Sequence, residues 1–380
     1  MTRAGRAEGL ADLVLRQVRA WEEQGAALAA GEEEGIRELH LEVTHRCDMK
    51  CVMCHHWLLE DAGPGLSARE LRRLLDKSRL LDRVETVVVS GGEPWLDPEA
   101  VPIIALLRER FPKASLGVLS HLGSARLLEA RLTELASLGV AGLWLGSSMD
   151  GVGAAHDRMR GRRGAFRGLE AGLDMLGRRF PGTAVSLNFT LTPDNASELW
   201  PCYAYARDRG LGFGAQLVVE HQGLPASRRF RWTRAGLSEA GRQIALILED
   251  LCRSAGALEA LLLRPLESAG LWARLAYWGH LRDLCLGSKP AMPDCMAGRR
   301  YAMLDPEGGL FFCPVFKHRK AGNCLKEGFD AAWRSPMARA LAAELSRCRK
   351  RCWLNCVAHP ALDRVLKAAL RDEEVPVRAR

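Results

Sequence analysis

The sequence lacks the features of a membrane or secreted protein. No apolar run reaches the length of about 18 residues that a membrane-spanning helix needs. Residues 1–24 form no secretory signal, because their apolar positions follow a helical spacing and are interrupted by Arg and Glu. We therefore expect a cytoplasmic protein without membrane association.

Dense basic blocks and low-complexity tracts are also missing, although the net charge is +8. The excess comes from 54 Lys and Arg residues against 46 Asp and Glu residues, and the arginines are spread through the chain. Net charge influences association but does not determine the fold. The composition favours a basic enzyme over a nucleic-acid-binding protein and is compatible with an anionic or peptide substrate.

Cysteine is sparse in the middle of the chain and clustered towards its two ends. Of twelve cysteines, three lie at 47, 51 and 54 and six lie between 295 and 356. In a cytoplasmic protein such clusters indicate metal ligands or reactive thiols rather than disulfides. Cys202, Cys252 and Cys285 fall in helical patterns, and we expect them to be buried as small apolar side chains.

Between residues 37 and 285 the sequence alternates short β-rich runs with longer helical patterns. Six strands are predicted, at 39–44, 84–90, 115–120, 140–147, 184–191 and 212–219. Strands that alternate with helices indicate a parallel sheet with right-handed crossovers. Six such units are fewer than the eight of a closed TIM barrel, so we predict an α/β fold with a partial, TIM-like (β/α)6 barrel.

Three regions are predicted along the chain, which is too long for one small core. Residues 1–36 form a helical extension, with an amphipathic helix followed by an acidic loop. Residues 37–285 form the barrel domain, which becomes helical from about residue 230. Residues 286–380 form a cysteine-rich domain, in which "YAMLDPEGGLFFCP" predicts a hairpin that turns at 305–309.

Two helix starts are predicted inside the barrel domain. Ser67 precedes a helical pattern and is followed three residues later by Glu70, which predicts a capping box. Pro98 after Asp97 predicts a second helix with proline in its first position.

The first cysteine cluster, "CDMKCVMC", directly follows the first predicted strand. Its C-x3-C-x2-C spacing puts Cys47, Cys51 and Cys54 at the C-terminal edge of the sheet, where α/β folds hold their functional sites. A zinc site would need a fourth ligand, and His55 and His56 are poorly placed for a tetrahedron. The alternatives are a group of inert buried thiols and a [4Fe–4S] cluster with three cysteine ligands and one open iron.

A second motif, "SGGEPW", follows the second predicted strand. Gly91 and Gly92 allow the backbone to pass close to a ligand, and Pro94 stiffens the turn. The Glu93 carboxylate can accept hydrogen bonds from an ammonium group. Gly-Gly is also common in ordinary strand-to-helix turns. The functional interpretation therefore depends on the position of the motif, on the strand that follows the cysteine cluster.

The two motifs, in this order and on consecutive strands, resemble those of the radical S-adenosylmethionine (radical SAM) superfamily. The resemblance implies that Cys47, Cys51 and Cys54 hold a [4Fe–4S] cluster whose open iron binds the amino and carboxylate groups of SAM. It implies reductive cleavage of SAM to a 5′-deoxyadenosyl radical that removes a hydrogen atom from substrate. The Gly-Gly-Glu-Pro turn would contact the methionine amino group. A reducing partner such as flavodoxin or ferredoxin is expected.

The same resemblance implies further cofactor contacts. The segment "GSSMDG" is similar to the Ser-x-Asp-Gly at the fourth strand of many superfamily members, which puts Ser148 and Asp150 near the SAM ribose or carboxylate. Met53 stands where a large apolar residue usually contacts adenine. Asn188 on the fifth strand is either a polar contact of the cofactor or a core asparagine.

An arginine and several histidines complete the expected surroundings of SAM. Arg160 is our candidate for the SAM carboxylate, with Arg158 and Arg163 as alternatives. His121 departs from the Thr-Asn-Gly often found after the third strand, and either faces substrate or is a satisfied loop histidine. His55 and His56 are expected as neighbours of substrate or cofactor rather than as ligands.

The cysteine-rich region resembles the SPASM/twitch extension of radical SAM enzymes over residues 295–356. A full SPASM domain has seven cysteines and two clusters, whereas this region has six, and Cys324 stands where an aliphatic residue is usual. We therefore expect a twitch-like domain with one auxiliary [4Fe–4S] cluster and a structural Cys324, although the spacing alone also allows zinc. The candidate ligands are Cys295, Cys313, Cys348, Cys352 and Cys356.

These expectations combine into a radical SAM oxidoreductase that acts on a peptide or a small polar metabolite, with net oxidation assisted by the auxiliary cluster. Dehydrogenation, epimerisation and peptide crosslinking are all open outcomes. Two other classes compete with this hypothesis: a zinc-binding module for nucleic acid or protein, and an iron–sulfur electron carrier without SAM chemistry. The carrier hypothesis leaves the "GGEP" and "GSSMDG" motifs unexplained.

Overall fold

The computed structural model describes residues 9–29, 35–54, 56–59, 65–219, 230–288, 290, 295–348 and 352–374. Helix α1 (Leu10–Leu28) confirms the predicted amphipathic helix at the N-terminal end. Its buried face includes Val14, Val18 and Trp21. Most of the predicted acidic loop that follows it lies outside the described residues.

All six predicted strands are present and form one parallel sheet. They are β1 (Glu38–Glu42), β2 (Thr86–Ser90), β3 (Ser115–Leu119), β4 (Leu143–Ser148), β5 (Ala184–Leu191) and β6 (Gly212–Leu217). They follow one another across the sheet in chain order, and each pairs in parallel with the next. The predicted start of β4 at residue 140 was too early, because Gly142 has a positive φ of 68° that interrupts the extended backbone.

The helices that alternate with these strands confirm the predicted α/β order. They are α2 (Ala68–Leu75), α3 (Ala100–Arg110), α4 (Ala125–Ser137), α5 (Ala154–Arg160), α6 (Ala165–Arg179) and α7 (Leu199–Asp208). The capping box of Ser67 and Glu70 at the start of α2 is confirmed. The second predicted helix is present as α3, but its predicted first residue, Pro98, was two positions too early: Asp97 accepts a hydrogen bond from the Glu99 N–H, and the helix begins at Ala100.

The C-terminal part of the chain extends the same sheet. Strand β7 (Tyr301–Leu304) pairs in parallel with β1, and β8 (Gly309–Phe311) and β9 (Gly322–Asn323) follow in antiparallel order. The predicted hairpin between β7 and β8 is confirmed, and Asp305 accepts a hydrogen bond from the Gly309 N–H in its turn. The sheet does not close on itself, as expected for a partial barrel. The limits of the three predicted regions stay a prediction.

The remaining helices cover the β6 side of the barrel and the cysteine-rich region. They are α8 (Arg234–Ser254), α9 (Ala257–Leu263), α10 (Ala269–Cys285), α11 (Cys324–Glu327), α12 (Phe329–Trp333), α13 (Pro336–Leu345) and α14 (Asn355–Glu374). The long helix α14 packs against both α1 and α10. The Tyr277 hydroxyl lies 2.8 Å from the Ala215 carbonyl oxygen and 2.9 Å from that of Trp353, which ties α10 to β6 and to the last cysteine segment. Within the described part of the chain, no helix has the length and apolar character to cross a membrane.

Candidate active site and auxiliary cysteine site

The first cysteine loop follows β1 and packs on α5 and on the start of α6. Cys51 is buried with Met49 and Ala165, while Cys47 and Cys54 are half-buried beside them. Burial raises the pKa of Cys51 to about 12 and that of Cys47 to about 11, and the neighbouring thiols of the trio add to both shifts. The three thiols therefore lie together, as a shared iron cluster requires, and cluster assembly must release their protons.

The Gly-Gly-Glu-Pro turn after β2 packs directly on the cysteine loop. A Cβ on Gly92 would lie 2.1 Å from the Arg46 carbonyl oxygen, and one on Gly91 would lie 2.4 Å from that of Thr44. Backbone hydrogen bonds from Gly92 to Thr44 and from Glu93 to Arg46 close this contact. In this structure the two glycines allow a close approach of two protein segments, where the sequence had suggested an approach to a ligand.

Glu93 is almost completely buried at this junction. One of its carboxylate oxygens accepts a hydrogen bond from the Trp95 N–H, and the other accepts one of 2.9 Å from the His121 N–H. The side-chain Nε2 atom of His121 lies 3.2 Å from the second oxygen. A carboxylate has about four lone-pair positions, so Glu93 keeps capacity for an ammonium group. Both ring nitrogens of His121 have protein partners, Gly123 in its own loop and Asp48 in the cysteine loop, which agrees with the interpretation as a satisfied histidine.

Asp150 and Arg160 form a buried ion pair on the other side of the cysteine loop. Arg160 Nη1 lies 3.2 Å from Asp150 Oδ2, and Asp150 also accepts a hydrogen bond from the Thr190 N–H. Burial lowers the pKa of Arg160, but Cys51 and Asp150 outweigh it and raise the pKa above its ordinary value. Arg160 is thus the arginine of its segment that lies near both Asp150 and the thiols. Its role at the SAM carboxylate stays a prediction.

Ser148 and Asn188 are direct neighbours in the pairing of β4 with β5. The Asn188 Oδ1 atom is buried and has no hydrogen-bond partner among the described residues. A buried acceptor without a partner is costly unless a ligand or water supplies a donor. The unpaired acceptor is compatible with a polar contact of the cofactor, and the roles of Ser148 and Asn188 at the cofactor stay a prediction. Met53 packs beside the buried Cys51, and its contact with adenine stays a prediction.

The second cysteine group forms where the β7–β8 hairpin meets the start of α14. Cys313 follows β8, and its pKa is raised by burial and, to a smaller extent, by the neighbouring Cys295 and Cys348. Burial raises the pKa of Cys352 and Cys356 to about 12, and Cys313 adds to both shifts. The structure therefore brings all five candidate auxiliary ligands together, which exceeds the four that a closed cluster needs.

The remaining cysteines lie apart from these two groups in apolar surroundings. Burial raises the pKa of Cys324 to about 12, with smaller effects of Glu327 and Asp305. Cys202, Cys252 and Cys285 are buried in helices, as predicted.

Sequence reasoning missed a polar cluster at the end of β1. Lys317 Nζ lies 2.6 Å from Glu42 Oε2, His56 Nε2 lies 3.5 Å from Glu42 Oε1, and His45 Nε2 lies 3.9 Å from Glu42 Oε2. Burial tends to raise the pKa of Glu42, but His56 and Lys317 lower it to about 2. The available signal was the alternation of Glu38, His40 and Glu42 along a strand that is buried on both faces.

This Glu42 cluster (Glu42, His45, His56 and Lys317) connects residues on both flanks of the first cysteine loop with the segment that follows Cys313. His45 and His56 flank the first cysteine loop, and Lys317 follows Cys313. Two imidazoles and a carboxylate are a possible ligand set for a metal ion. The Lys317 ammonium group already supplies the positive charge for Glu42, so the cluster is complete as an ion-pair network. The predicted His55 lies outside the described residues.

Two family models match the chain. The model of the radical SAM superfamily matches residues 41–206, and that of an iron–sulfur cluster-binding domain, SPASM, matches residues 295–356. The first match begins in β1 and ends in α7, and it includes the first cysteine loop and the Gly-Gly-Glu-Pro turn. The second includes all five candidate auxiliary cysteines.

Several relatives share parts of the chain. Pre-heme d1 synthase of Dinoroseobacter shibae is 31% identical over 44% of this chain and 40% of its own. The antilisterial bacteriocin subtilosin biosynthesis protein AlbA of Bacillus subtilis is 23% identical over 82% of this chain and 63% of its own. The mycofactocin maturase MftC of Mycobacterium ulcerans is 26% identical over 79% of this chain and 75% of its own. The chain thus spans less than two thirds of the length of the synthase and of AlbA.

Solved structures share the fold. Streptococcus suis SuiB bound to S-adenosylmethionine has a TM-score of 0.59 and 14% identity, over 86% of this chain and 71% of SuiB. The enzyme anSMEcpe with bound AdoMet has a TM-score of 0.56 and 13% identity, over 88% of this chain and 97% of its own. At such identities the likeness concerns the fold alone.

The open parallel sheet, the cysteine loop at its C-terminal edge and the first family match show that the chain carries a radical SAM domain. Such a domain implies a [4Fe–4S] cluster together with SAM. The second match shows that the chain also carries a SPASM domain, which implies an auxiliary cluster. The two matches favour the radical SAM hypothesis over a zinc module and over a SAM-free carrier.

Proposed function

We propose that the protein abstracts a hydrogen atom from a peptide or a small polar metabolite and completes a net oxidation with the help of the auxiliary cluster. The observation that carries the proposal is the Glu42 cluster, in which the Glu42–Lys317 ion pair links the strand before the first cysteine loop to the segment after Cys313. We place the substrate beside this polar cluster. When bound, the first iron–sulfur cluster and SAM supply the 5′-deoxyadenosyl radical, and the auxiliary cluster supplies an acceptor for one electron.

The residues of the chain hold these components in register and keep water away. The thiolates of Cys47, Cys51 and Cys54 bind the iron, and Arg160 offsets part of their negative charge. Glu93 accepts from the SAM ammonium group with the capacity that Trp95 and His121 leave free. Burial of these groups strengthens each electrostatic contact and limits quenching of the radical by solvent.

The Glu42 cluster offers polar partners to a substrate. Lys317 donates to Glu42 and keeps further N–H groups for an acceptor such as a peptide carbonyl or a carboxylate. His45 and His56 are available to accept the proton that an oxidised substrate must lose along with its electron. This arrangement suits an amide, alcohol or amine carbon as the site of oxidation.

Relatives support a peptide as the substrate class. Their names refer to the biosynthesis of subtilosin, the maturation of mycofactocin and the cyclisation of the PqqA peptide. SuiB, which shares the fold, has been solved with its precursor peptide SuiA. Other relatives act on small molecules, such as the GTP 3′,8-cyclase of Caulobacter vibrioides. The oxidised product, the flavodoxin or ferredoxin that reduces the enzyme, and the cytoplasmic location are parts of this proposal.

The direct test is product formation by the anaerobically reconstituted enzyme. With reductant and SAM, the wild type should release 5′-deoxyadenosine, and a Cys47→Ala, Cys51→Ala, Cys54→Ala triple variant should release none. A true substrate should increase the rate and leave with a mass two hydrogen atoms lower. A protein with intact clusters that forms no 5′-deoxyadenosine would disprove the proposal.

A further inference from the structure

The segment after β3 contacts both loops of the SAM site through one residue. The Nε2 atom of His121 lies 2.7 Å from Asp48 Oδ1 and 3.2 Å from Glu93 Oε2. Asp48 is the neighbour of Cys47, and Glu93 belongs to the turn after β2. The His121 side chain therefore joins the cysteine loop to the carboxylate expected at the SAM amino group.

The hydrogen bonds of His121 define which ring nitrogen carries its proton. The Gly123 N–H donates a hydrogen bond of 2.8 Å to the Nδ1 atom, so Nδ1 is an acceptor and carries no proton. The proton of the neutral ring is on Nε2 and is shared between Asp48 and Glu93. The backbone N–H of His121 donates to the same Glu93 oxygen at 2.9 Å. His121 thus directs two donors at one oxygen of Glu93.

The loop that carries His121 is built in a conformation that needs support. Leu122 is buried and has a φ of +54°, which non-glycine residues rarely adopt. Helix α6 provides the support by close approach: a Cβ on Gly172 would lie 2.3 Å from the Leu122 carbonyl oxygen, and one on Gly168 would lie 2.7 Å from that of Gly123. The backbone that directly follows His121 is therefore held against α6.

We propose that His121 is a positioning residue that fixes Glu93 for the SAM ammonium group and couples this contact to the cysteine loop through Asp48. The inference rests on the proposed function and deepens it. Loss of the Nε2 donor leaves the iron ligands intact but lets the Glu93 carboxylate rotate, which weakens recognition of the amino group. Arg162, which also pairs with Asp48, holds the cysteine loop in the absence of the imidazole.

Two amide substitutions separate the functions of the ring nitrogens. His121→Asn keeps an acceptor near the Nδ1 position for the Gly123 N–H but is too short to reach Glu93. His121→Gln carries its amide donor at about the Nε2 position. We expect the Kd for SAM to rise about tenfold in His121→Asn and by less than about threefold in His121→Gln, since a hydrogen bond to a charged group is worth about one power of ten. His318→Ala, an exposed histidine of the cysteine-rich region, is the matched control.

The measurement is equilibrium dialysis of the oxidised holoenzyme against SAM and, separately, against 5′-methylthioadenosine, which lacks the amino-acid part. Iron content is determined in the same samples. His121→Asn should bind methylthioadenosine as tightly as the wild type and retain the same iron, because only the contact with the amino group has changed. The proposal would be overturned if His121→Asn weakened the binding of both ligands equally, left the affinity for SAM unchanged or lost iron. Failure of the wild type to bind SAM would instead overturn the proposed function.

Discussion

The ammonium nitrogen of Lys317 lies 2.6 Å from the Oε2 atom of Glu42, and both side chains are buried. Glu42 is the last residue of β1, from which the chain enters the first cysteine loop. Lys317 follows Cys313 in the second cysteine group. This one ion pair therefore connects the two parts of the chain that hold iron.

Removal of Lys317 should destabilise the protein. We expect Lys317→Met to lower the free energy of unfolding by about 3 kcal/mol, because Glu42 then stays buried without its principal counter-charge. The double variant Glu42→Gln, Lys317→Met should recover most of this loss, since no unpaired charge remains. Urea unfolding of proteins with equal iron content measures both effects. A double variant as unstable as the single one would refute the explanation.

The same carboxylate should make the folded protein sensitive to acid. Although burial tends to raise it, the pKa of Glu42 is lowered from 4.5 to about 2 by His56 and Lys317. Because the folded pKa is the lower one, the stabilisation is complete above about pH 4.5 and is lost as the pH falls towards 2. Relative to Glu42→Gln, the wild type should lose about 1–1.5 kcal/mol between about pH 5.5 and about pH 3.5. Parallel pH profiles of the two proteins in urea unfolding would contradict this.

A methyl group placed between the Gly-Gly-Glu-Pro turn and the cysteine loop should prevent binding of one cluster. The Cβ of Gly92→Ala would lie 2.1 Å from the Arg46 carbonyl oxygen, so the cysteine loop must shift. We expect about four irons to remain, as in the Cys47→Ala, Cys51→Ala, Cys54→Ala variant, because the auxiliary cluster is untouched. The control is Gly177→Ala on α6, whose Cβ meets nothing within 4 Å and which should keep about eight irons. Full iron content in Gly92→Ala would show that the loops can separate without loss of the cluster.

Cys324 and Cys313 should differ in their effect on the auxiliary cluster. In the background of the triple cysteine variant, Cys324→Ala should retain about four irons and Cys313→Ala should lose most of them. The reason is position: Cys313 lies with the other auxiliary thiols, whereas Cys324 is buried at the start of α11 near Glu327 and Asp305. Iron analysis and visible absorption check the result. Equal loss in both variants would make Cys324 a ligand.

Local signals in the sequence predicted much of the fold because the interactions behind them are local. The capping box of Ser67 and Glu70 spans three residues, and the hairpin turn at Asp305 spans four. The helix predicted to begin at Pro98 begins instead at Ala100. Asp97 accepts the Glu99 N–H, as a capping side chain does, and also pairs with Arg46, which is distant in sequence. The local pattern did not indicate this helix start, which is accompanied by the tertiary contact between Asp97 and Arg46.

The candidate site was predictable where motifs were dense and unpredictable where distant segments meet. The cysteines and the Gly-Gly-Glu-Pro turn were found from their spacing, from their positions after consecutive strands and from the resemblance to the radical SAM superfamily. The contact of Lys317 with Glu42 and that of His121 with Asp48 join segments that are far apart in sequence, and no periodicity or capping pattern reports such pairs. The parallel pairing of β7 with β1 escaped for the same reason, because the hairpin itself gave no sign of a third partner.

The place of β1 in the sheet has a consequence during synthesis on the ribosome. Residues 38–41 pair on one side with 86–89 and on the other with 301–304. One edge of β1 therefore stays unpaired until residues 301–304 have been synthesised. At about 5–20 residues per second, that wait lasts roughly ten to fifty seconds. During this time an unpaired strand edge with the nascent cysteine loop beside it is open to aggregation, oxidation or premature metal uptake. The sheet around the first cysteine loop is therefore completed only after residues 301–304 have been synthesised.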